Sequence, residues 1–276
     1  MEKLILNIVK KQLQSPKQTT LSLNRNIWFL RQAVKAKPSM ASEILNTLNT
    51  VSDKDFQPSL LQGIYQTHAE IVKANPILAE EVLDSIRKTL ASDKNNRDSL
   101  DDLYNTLGLI GEIRPELAPK ALEILNNTLS SENNDFYSLE HGYRAMQKII
   151  KADPKLVDNV LESLQKTLTS DKNTRDSLDD FYDTLGIIGK LRPDLAGKTM
   201  EVFRKEGFQV KEIVIKEQHH CRSSDYWEDK ENKFLLLSHE YIFVFEKEKI
   251  TRNGVLAEDT EFEYNVEPID PDFDQN

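Results

Sequence analysis

The sequence holds a single cysteine, Cys221, so no internal disulfide can staple the chain, and a reducing compartment is expected. Chain breakers are scarce. Nine glycines and ten prolines against 30% charged residues argue for helices with solvated faces and against a loop-rich sandwich. No long apolar run is present. The opening MEKLILNIVKKQLQ has one from Leu4 to Val9, interrupted by Asn7, too short for the core of a secretory signal and far short of a membrane span. It reads as an amphipathic opening helix of a soluble, cytoplasmic protein. Blocks of lysine and arginine are missing too. A protein that grips nucleic acid without sequence preference needs clustered positive charge against the phosphates, so direct nucleic-acid binding is not expected. The net charge of −10 sits mostly at the end: from Asn253 onward there are eight acids and no lysine or arginine, which leaves the preceding 252 residues at about −2.

What the chain does have is 276 residues with 38% hydrophobic content, enough for a real core, and a period. KTLASDKNNRDSLDDLYNTLGLIGEIRPELA (88–118) and KTLTSDKNTRDSLDDFYDTLGIIGKLRPDLA (166–196) agree at 23 of 31 positions, at an offset of 78. The offset is twice a shorter spacing, because prolines recur at Pro38, Pro76, Pro115, Pro154 and Pro193. Proline is harmless in the first turn of a helix and disruptive further in, so each is expected to open the second helix of a two-helix unit.

Apolar residues downstream of each proline fall on one helical face: Leu78, Ala79, Val82, Leu83 and Ile86, then Leu117, Ala118, Ala121, Leu122 and Leu125, then Leu156, Val157, Val160, Leu161 and Leu164. The first helix of each unit has its own register. Leu61, Tyr65 and Ile71 return as Leu100, Tyr104 and Ile110, as Leu139, Tyr143 and Ile149, and as Leu178, Tyr182 and Ile188. Polar links rich in Asp, Asn and Ser, such as SDKNNRDS, join one unit to the next and are suited to cap the coming helix. Five helical hairpins are predicted.

One hairpin cannot hide both of its apolar faces, whereas stacked hairpins bury a continuous core, so the expected fold class is mainly α, an α-solenoid. The 39-residue helix-turn-helix period resembles HEAT-type repeats in length and layout, more than the tetratricopeptide pattern. That resemblance implies a protein-binding scaffold.

Within this frame, the ladder Tyr65, Tyr104, Tyr143 and Tyr182 has two readings: a recognition surface for a partner protein, since tyrosine offers area and a hydroxyl at low entropic cost, or packing in the seam between hairpins. Its register with Leu and Ile favours packing. DKNNRD (93–98) and DKNTRD (171–176) fail as calcium loops, since Arg97 and Arg175 stand where an oxygen ligand is needed; capped turns are expected. Asp101, Asp102, Asp179 and Asp180 are expected to complement the positive ends of their helices on a solvated surface. His219, His220 and Cys221, with His239 considered as a fourth ligand, do not make a metal site, because consecutive strand residues point to opposite faces.

After Lys205 the period stops. GFQVKEIVIKEQ (207–218) and KFLLLSHEYIFVFEKEK (233–249) read as two strands of a β-hairpin. The block Gly207-Phe208, KEIVIKEQHHCRSSDYW and FLLLSHEYIFVFEK resembles the C-terminal strand pair of the N4/N6 amino DNA methyltransferases, with His239, Glu240, Tyr241, Phe243 and Phe245 in the matching strand. It covers 43 of the 276 residues. Such enzymes hold S-adenosylmethionine on a glycine-rich loop and the target amine on an Asp/Asn-Pro-Pro-aromatic turn. This sequence contains neither, so no cofactor, no catalytic residue and no metal are expected, and His239 and Glu240 inherit no role. A lone two-stranded ribbon is marginal in water. Two fates are open to it: lying on the last helix at Leu195, Thr199, Met200 and Phe203, or waiting for a separate chain to add strands.

The expected organisation is an N-terminal helix or cap at 1–21, the HEAT-like array at 22–206, the hairpin at 207–249 and an acidic, disordered tail at 250–276. The leading functional expectation is a non-enzymatic scaffold that binds another protein. The alternative is a noncatalytic accessory of a DNA-modification system, with a methyltransferase as its partner.

Overall fold

The computed structural model describes residues 2–15, 19–51, 56–91, 94–129, 136–168, 173, 175–205, 208–217 and 239–247. The chain is mainly helical and divides into two units, Met1–Val202 and Phe203–Asn276. Eleven α-helices lie among the described residues: α1 (Glu2–Leu13), α2 (Thr20–Ala36), α3 (Ala41–Leu48), α4 (Pro58–Ala74), α5 (Ala79–Leu90), α6 (Arg97–Ile113), α7 (Ala118–Leu129), α8 (Phe136–Ala152), α9 (Val157–Leu168), α10 (Arg175–Leu191) and α11 (Ala196–Lys205).

From α2 onward the even-numbered helices are all 17 residues long, about 25 Å at the α-helical rise. What ends each of them is the proline. The residue before it is forced out of the α region, and Lys37, Asn75, Arg114 and Asp153 all sit at φ between −130° and −148° with ψ of 77° to 91°. Each still donates its backbone N–H to the carbonyl four residues back, as in Arg114 to Ile110 at 2.9 Å, so the long helix closes on that residue. The proline then opens a single 3₁₀ turn, and the second α-helix starts three residues beyond it, at Ala41, Ala79, Ala118, Val157 and Ala196. This differs from the expectation that proline itself begins the second α-helix. The 3₁₀ bond, such as Leu117 N–H to the Arg114 carbonyl at 2.8 Å, reverses the chain in less length than an α-turn.

Side-chain caps start two of the long helices. Thr19 with Ser22 and Asn96 with Ser99 each form a reciprocal capping box, satisfying donors that the helix cannot. In the first unit each long helix lies against the next one, α2 on α4, α4 on α6, α6 on α8 and α8 on α10. The short helices α5, α7 and α9 follow one another in the same way, and each also touches the long helix that follows it. The core between them is Ile44, Leu45, Leu60, Leu61, Ile71, Val82, Leu83, Ile86, Leu103, Ile110, Ala121, Leu125, Ile149, Val160 and Leu164, all buried.

Small residues set how closely the long helices approach. Thr67, Thr106, Ala145 and Thr184 share one position of the period and all are buried. The Thr106 hydroxyl reaches the Asp102 carbonyl at 2.7 Å and the Tyr65 carbonyl of α4 at 3.1 Å, so a polar side chain is satisfied between two helices. Glycine does the same from the other side. A Cβ added to Gly108 would stand 3.0 Å from the Ala145 Cα, a backbone atom that moves only if α8 moves.

In the second unit, β1 (Phe208–Glu217) and β2 (His239–Lys247) pair antiparallel, from Phe208 opposite Lys247 to Glu217 opposite His239, with an irregularity between Val210 and Glu212.

Candidate interaction surface

The tyrosine ladder lies between helices. Tyr65, Tyr104 and Tyr143 have no exposed surface, and Tyr182 is half-buried. Three of the four rings therefore offer no area to a partner, and what they do is hold successive hairpins together. The Tyr65 hydroxyl donates to Asn95 Oδ1 at 3.1 Å, and the Tyr143 hydroxyl donates to Asn173 Oδ1 at 2.9 Å. Asn95 and Asn173 stand in the links ahead of the next long helices, where they also accept from Ser99 Oγ at 3.1 Å and Ser177 Oγ at 3.5 Å. Burial pushes the Tyr65 phenol up to about 12, more than its bonds to Thr89 and Asn95 pull it back. The links are thus structural: Asn96 caps α6 and Asn95 anchors it.

Three of the four aspartates sit in joints and are not simply solvated helix-start charges. Asp101 Oδ1 lies 3.3 Å from His141 Nδ1 of α8. Asp102 accepts from Gln66 Nε2 of α4 at 2.8 Å, and Asp180 accepts from Arg144 Nε of α8 at 3.0 Å. Burial raises the Asp102 carboxyl above its ordinary range, against the lowering by Gln66 and Gln62. Asp179 alone is exposed.

One polar cluster was not visible in the sequence. His68 of α4 is fully buried, and burial holds its imidazole down at about 3. Ser85 Oγ donates to Asn49 Oδ1 at 2.6 Å and lies 3.1 Å from His68 Nε2, which is therefore the protonated nitrogen. His68 Nδ1 is buried without a hydrogen-bond partner. In the 39-residue register His68 stands where Leu107, Met146 and Leu185 fill the core, so it is a polar intrusion in an apolar column. Among the described residues no group of three or more His, Cys, Asp and Glu is placed to hold a metal.

The exposed apolar surface is concentrated on α2. Leu23, Ile27, Leu30 and Val34 face the core, and the opposite side carries Leu21, Trp28 and Phe29, exposed by 71%, 55% and 36%, with Arg25 between them. The first copy is one residue shorter than the rest, α2 and Pro38 preceding α4 and Pro76 by 38 residues, so Trp28 occupies the position that Gln66, Asn105, Arg144 and Asp183 fill in later copies. There the residues are polar and half-buried or exposed; here a large aromatic stands largely in solvent. The period holds this signal, because a tryptophan in a column of polar residues is legible from the self-alignment alone.

His239, Glu240, Tyr241, Phe243 and Phe245 lie in β2, opposite Glu217, Lys216, Ile215, Ile213 and Val210. Residues 219–221 and the tail at 250–276 are outside the described residues, as are the side chains of Met200 and Phe203. No helix among the described residues is long and apolar enough to cross a membrane. Comparison of the chain with protein-family models, with curated proteins and with solved structures finds no match to any of them.

Proposed function

We propose that this chain is a non-enzymatic, cytoplasmic scaffold, a HEAT-like α-solenoid of five helical hairpins that binds another protein through the outer side of α2. The observation that carries the reading is Trp28, more than half exposed at a position where every later copy carries a polar residue. Nothing in the packing of α2 requires an aromatic there, since its core side is complete with Leu23, Ile27, Leu30 and Val34. Tryptophan, phenylalanine and arginine are the residue types that dominate binding energy when a partner desolvates them. Leu21 and Trp28 are two turns apart on one side, with Arg25 between, so the partner this stripe fits is an apolar helix face or groove with a carboxylate at its rim.

A photo-crosslinking residue at position 29 of the full chain, set beside the same residue at exposed Glu112, tests this. The scaffold reading expects one discrete protein adduct from position 29 alone, lost when Trp28→Ala is added. Equal adducts from both positions, or capture indifferent to Trp28, would overturn it. In parallel, S-adenosylmethionine is expected to leave the melting temperature unchanged, while stabilisation by that ligand would point to an enzyme.

A further inference from the structure

The long helix of the fifth hairpin carries an interhelical face for which the first unit supplies no helix among the described residues. Leu100, Tyr104, Gly108 and Gly111 of α6 recur at an offset of 78 as Leu178, Tyr182, Gly186 and Gly189 of α10. On α6 all four are buried, because α8 lies on them: a Cβ on Gly111 would come within 2.8 Å of Ile149 Cγ1, as one on Gly108 would meet Ala145. On α10 the same four residues are half-buried or exposed, and among the described residues nothing lies within 4 Å of a Cβ on Gly186 or Gly189. Two glycines inside a helix cost about 1 kcal/mol each relative to alanine. On α6 close packing offsets that cost. On α10 the cost stands with no neighbour against the glycines.

Charge says what would cover this face. The α6 face is flanked by Asp101 and Glu112, and α8 answers both with bases: His141 lies 3.3 Å from Asp101 and Lys148 lies 4.0 Å from Glu112. On α10 the flanking pair is Asp179 and Lys190, both exposed. Of the eight differences between residues 88–118 and 166–196, Glu112 to Lys190 is the one that reverses a charge. A helix bearing two bases in the manner of α8 is repelled by Lys190. A second α10 running antiparallel is matched at both ends, since Asp179 of each copy then faces Lys190 of the other. The two charges are eleven residues apart on both helices, about 16 Å, so both pairs close together. Their midpoint falls beside Thr184 and Leu185, which brings each Tyr182 ring to the other copy's Gly186. The internal joint packs in the same manner: a Cβ on Gly142 of α8 would lie 3.8 Å from the Tyr104 ring.

We infer that α10 is a self-association surface through which two copies of this chain pair isologously, antiparallel, across Gly186 and Gly189. Its two-fold symmetry closes the assembly at a dimer. One helix pair buries less than the roughly 1,200 Å² of a stable interface, so the dimer is weak and depends on concentration and salt.

Sedimentation equilibrium of the full chain at low salt, from micromolar to near-millimolar concentration, tests this. A monomer–dimer equilibrium is expected. Lys190→Asp and Asp179→Lys each set like charges opposite one another twice and weaken the dimer by about tenfold or more. Combining them restores it, which a merely destabilised helix would not show. Gly186→Leu abolishes the dimer without lowering the melting temperature of the monomer, because its side chain enters open space. A monomer at every concentration, masses rising past the dimer, or charge variants with no effect and no mutual rescue would each overturn the inference.

Discussion

The phenolic hydroxyl of Tyr65 reaches Asn95, thirty residues further on, and the same bond recurs between Tyr143 and Asn173. Each tyrosine sits in one long helix and each asparagine just ahead of the next, so the bond ties a hairpin to its successor at the point where the chain enters it. The bond is part-buried and Asn95 Oδ1 keeps Ser99 Oγ without it, so its loss is that of a hydrogen bond with no group stranded. Tyr65→Phe is expected to lower the stability of the first unit by roughly 1–2 kcal/mol, read from the midpoint of chemical denaturation at unchanged slope. Asn95→Ala is expected to cost more, since the Tyr65 hydroxyl loses its acceptor and Ser99 Oγ is left with the Asn96 carbonyl alone.

His68 makes stability depend on pH. Its folded-state pKa of about 3 lies below the ordinary value of 6.5, so the unfolded chain binds the proton more tightly. Its contribution is complete above pH 6.5 and is lost as pH falls toward 3, at about 1.4 kcal/mol per pH unit. His68→Leu supplies the residue type of Leu107 and Leu185 and leaves Ser85 bonded to Asn49. The variant is expected to flatten the fall in melting temperature between pH 6.5 and pH 4, and an unchanged slope would remove His68 from the account.

How much of this was legible depends on the range of the interaction. The prolines, the Leu and Ile registers and the burial of the tyrosines follow from local periodicity, which one sequence displays in full. The roles of Asp101, Asp102 and Asp180 do not. Read alone they are acids near a helix start, and only the stacking of α6 on α8, α4 on α6 and α8 on α10 shows that His141, Gln66 and Arg144 complete them. Asn95, in a link that is suited to capping, is a further case: its donor, the Tyr65 hydroxyl, comes from another hairpin. Trp28 is a different case. Its column in the period is on display, and the column's other members, Gln66, Asn105, Arg144 and Asp183, are the polar residues that a solvated position takes.

Trp28→Ala is expected to change stability by no more than about 0.5 kcal/mol, the scale of a surface substitution. Its effect falls on binding instead, with partner affinity reduced by about thirtyfold, or 2 kcal/mol. Calorimetric melting beside a crosslinking yield separates the two: a large loss of stability would make Trp28 a packing residue and withdraw it from the interaction surface.

Gly108 and Gly186 form a matched pair for the last test, since each follows Thr-Leu at the same helix position and the neighbouring helix is the main difference. At Gly108 a methyl group would stand 3.0 Å from the Ala145 Cα and 3.2 Å from its Cβ, so α8 must shift. Gly108→Ala is expected to destabilise by roughly 1–3 kcal/mol, the cost of overpacking, even after the gain in helix propensity. At Gly186 the methyl meets nothing among the described residues, and the same change is expected to raise the stability of the monomer by about 1 kcal/mol, since only the propensity term remains. Denaturation of both variants at a concentration where the chain is monomeric decides it. Opposite signs require that α10 lack the neighbour that α6 has; equal losses would mean that another segment covers Gly186 in solution.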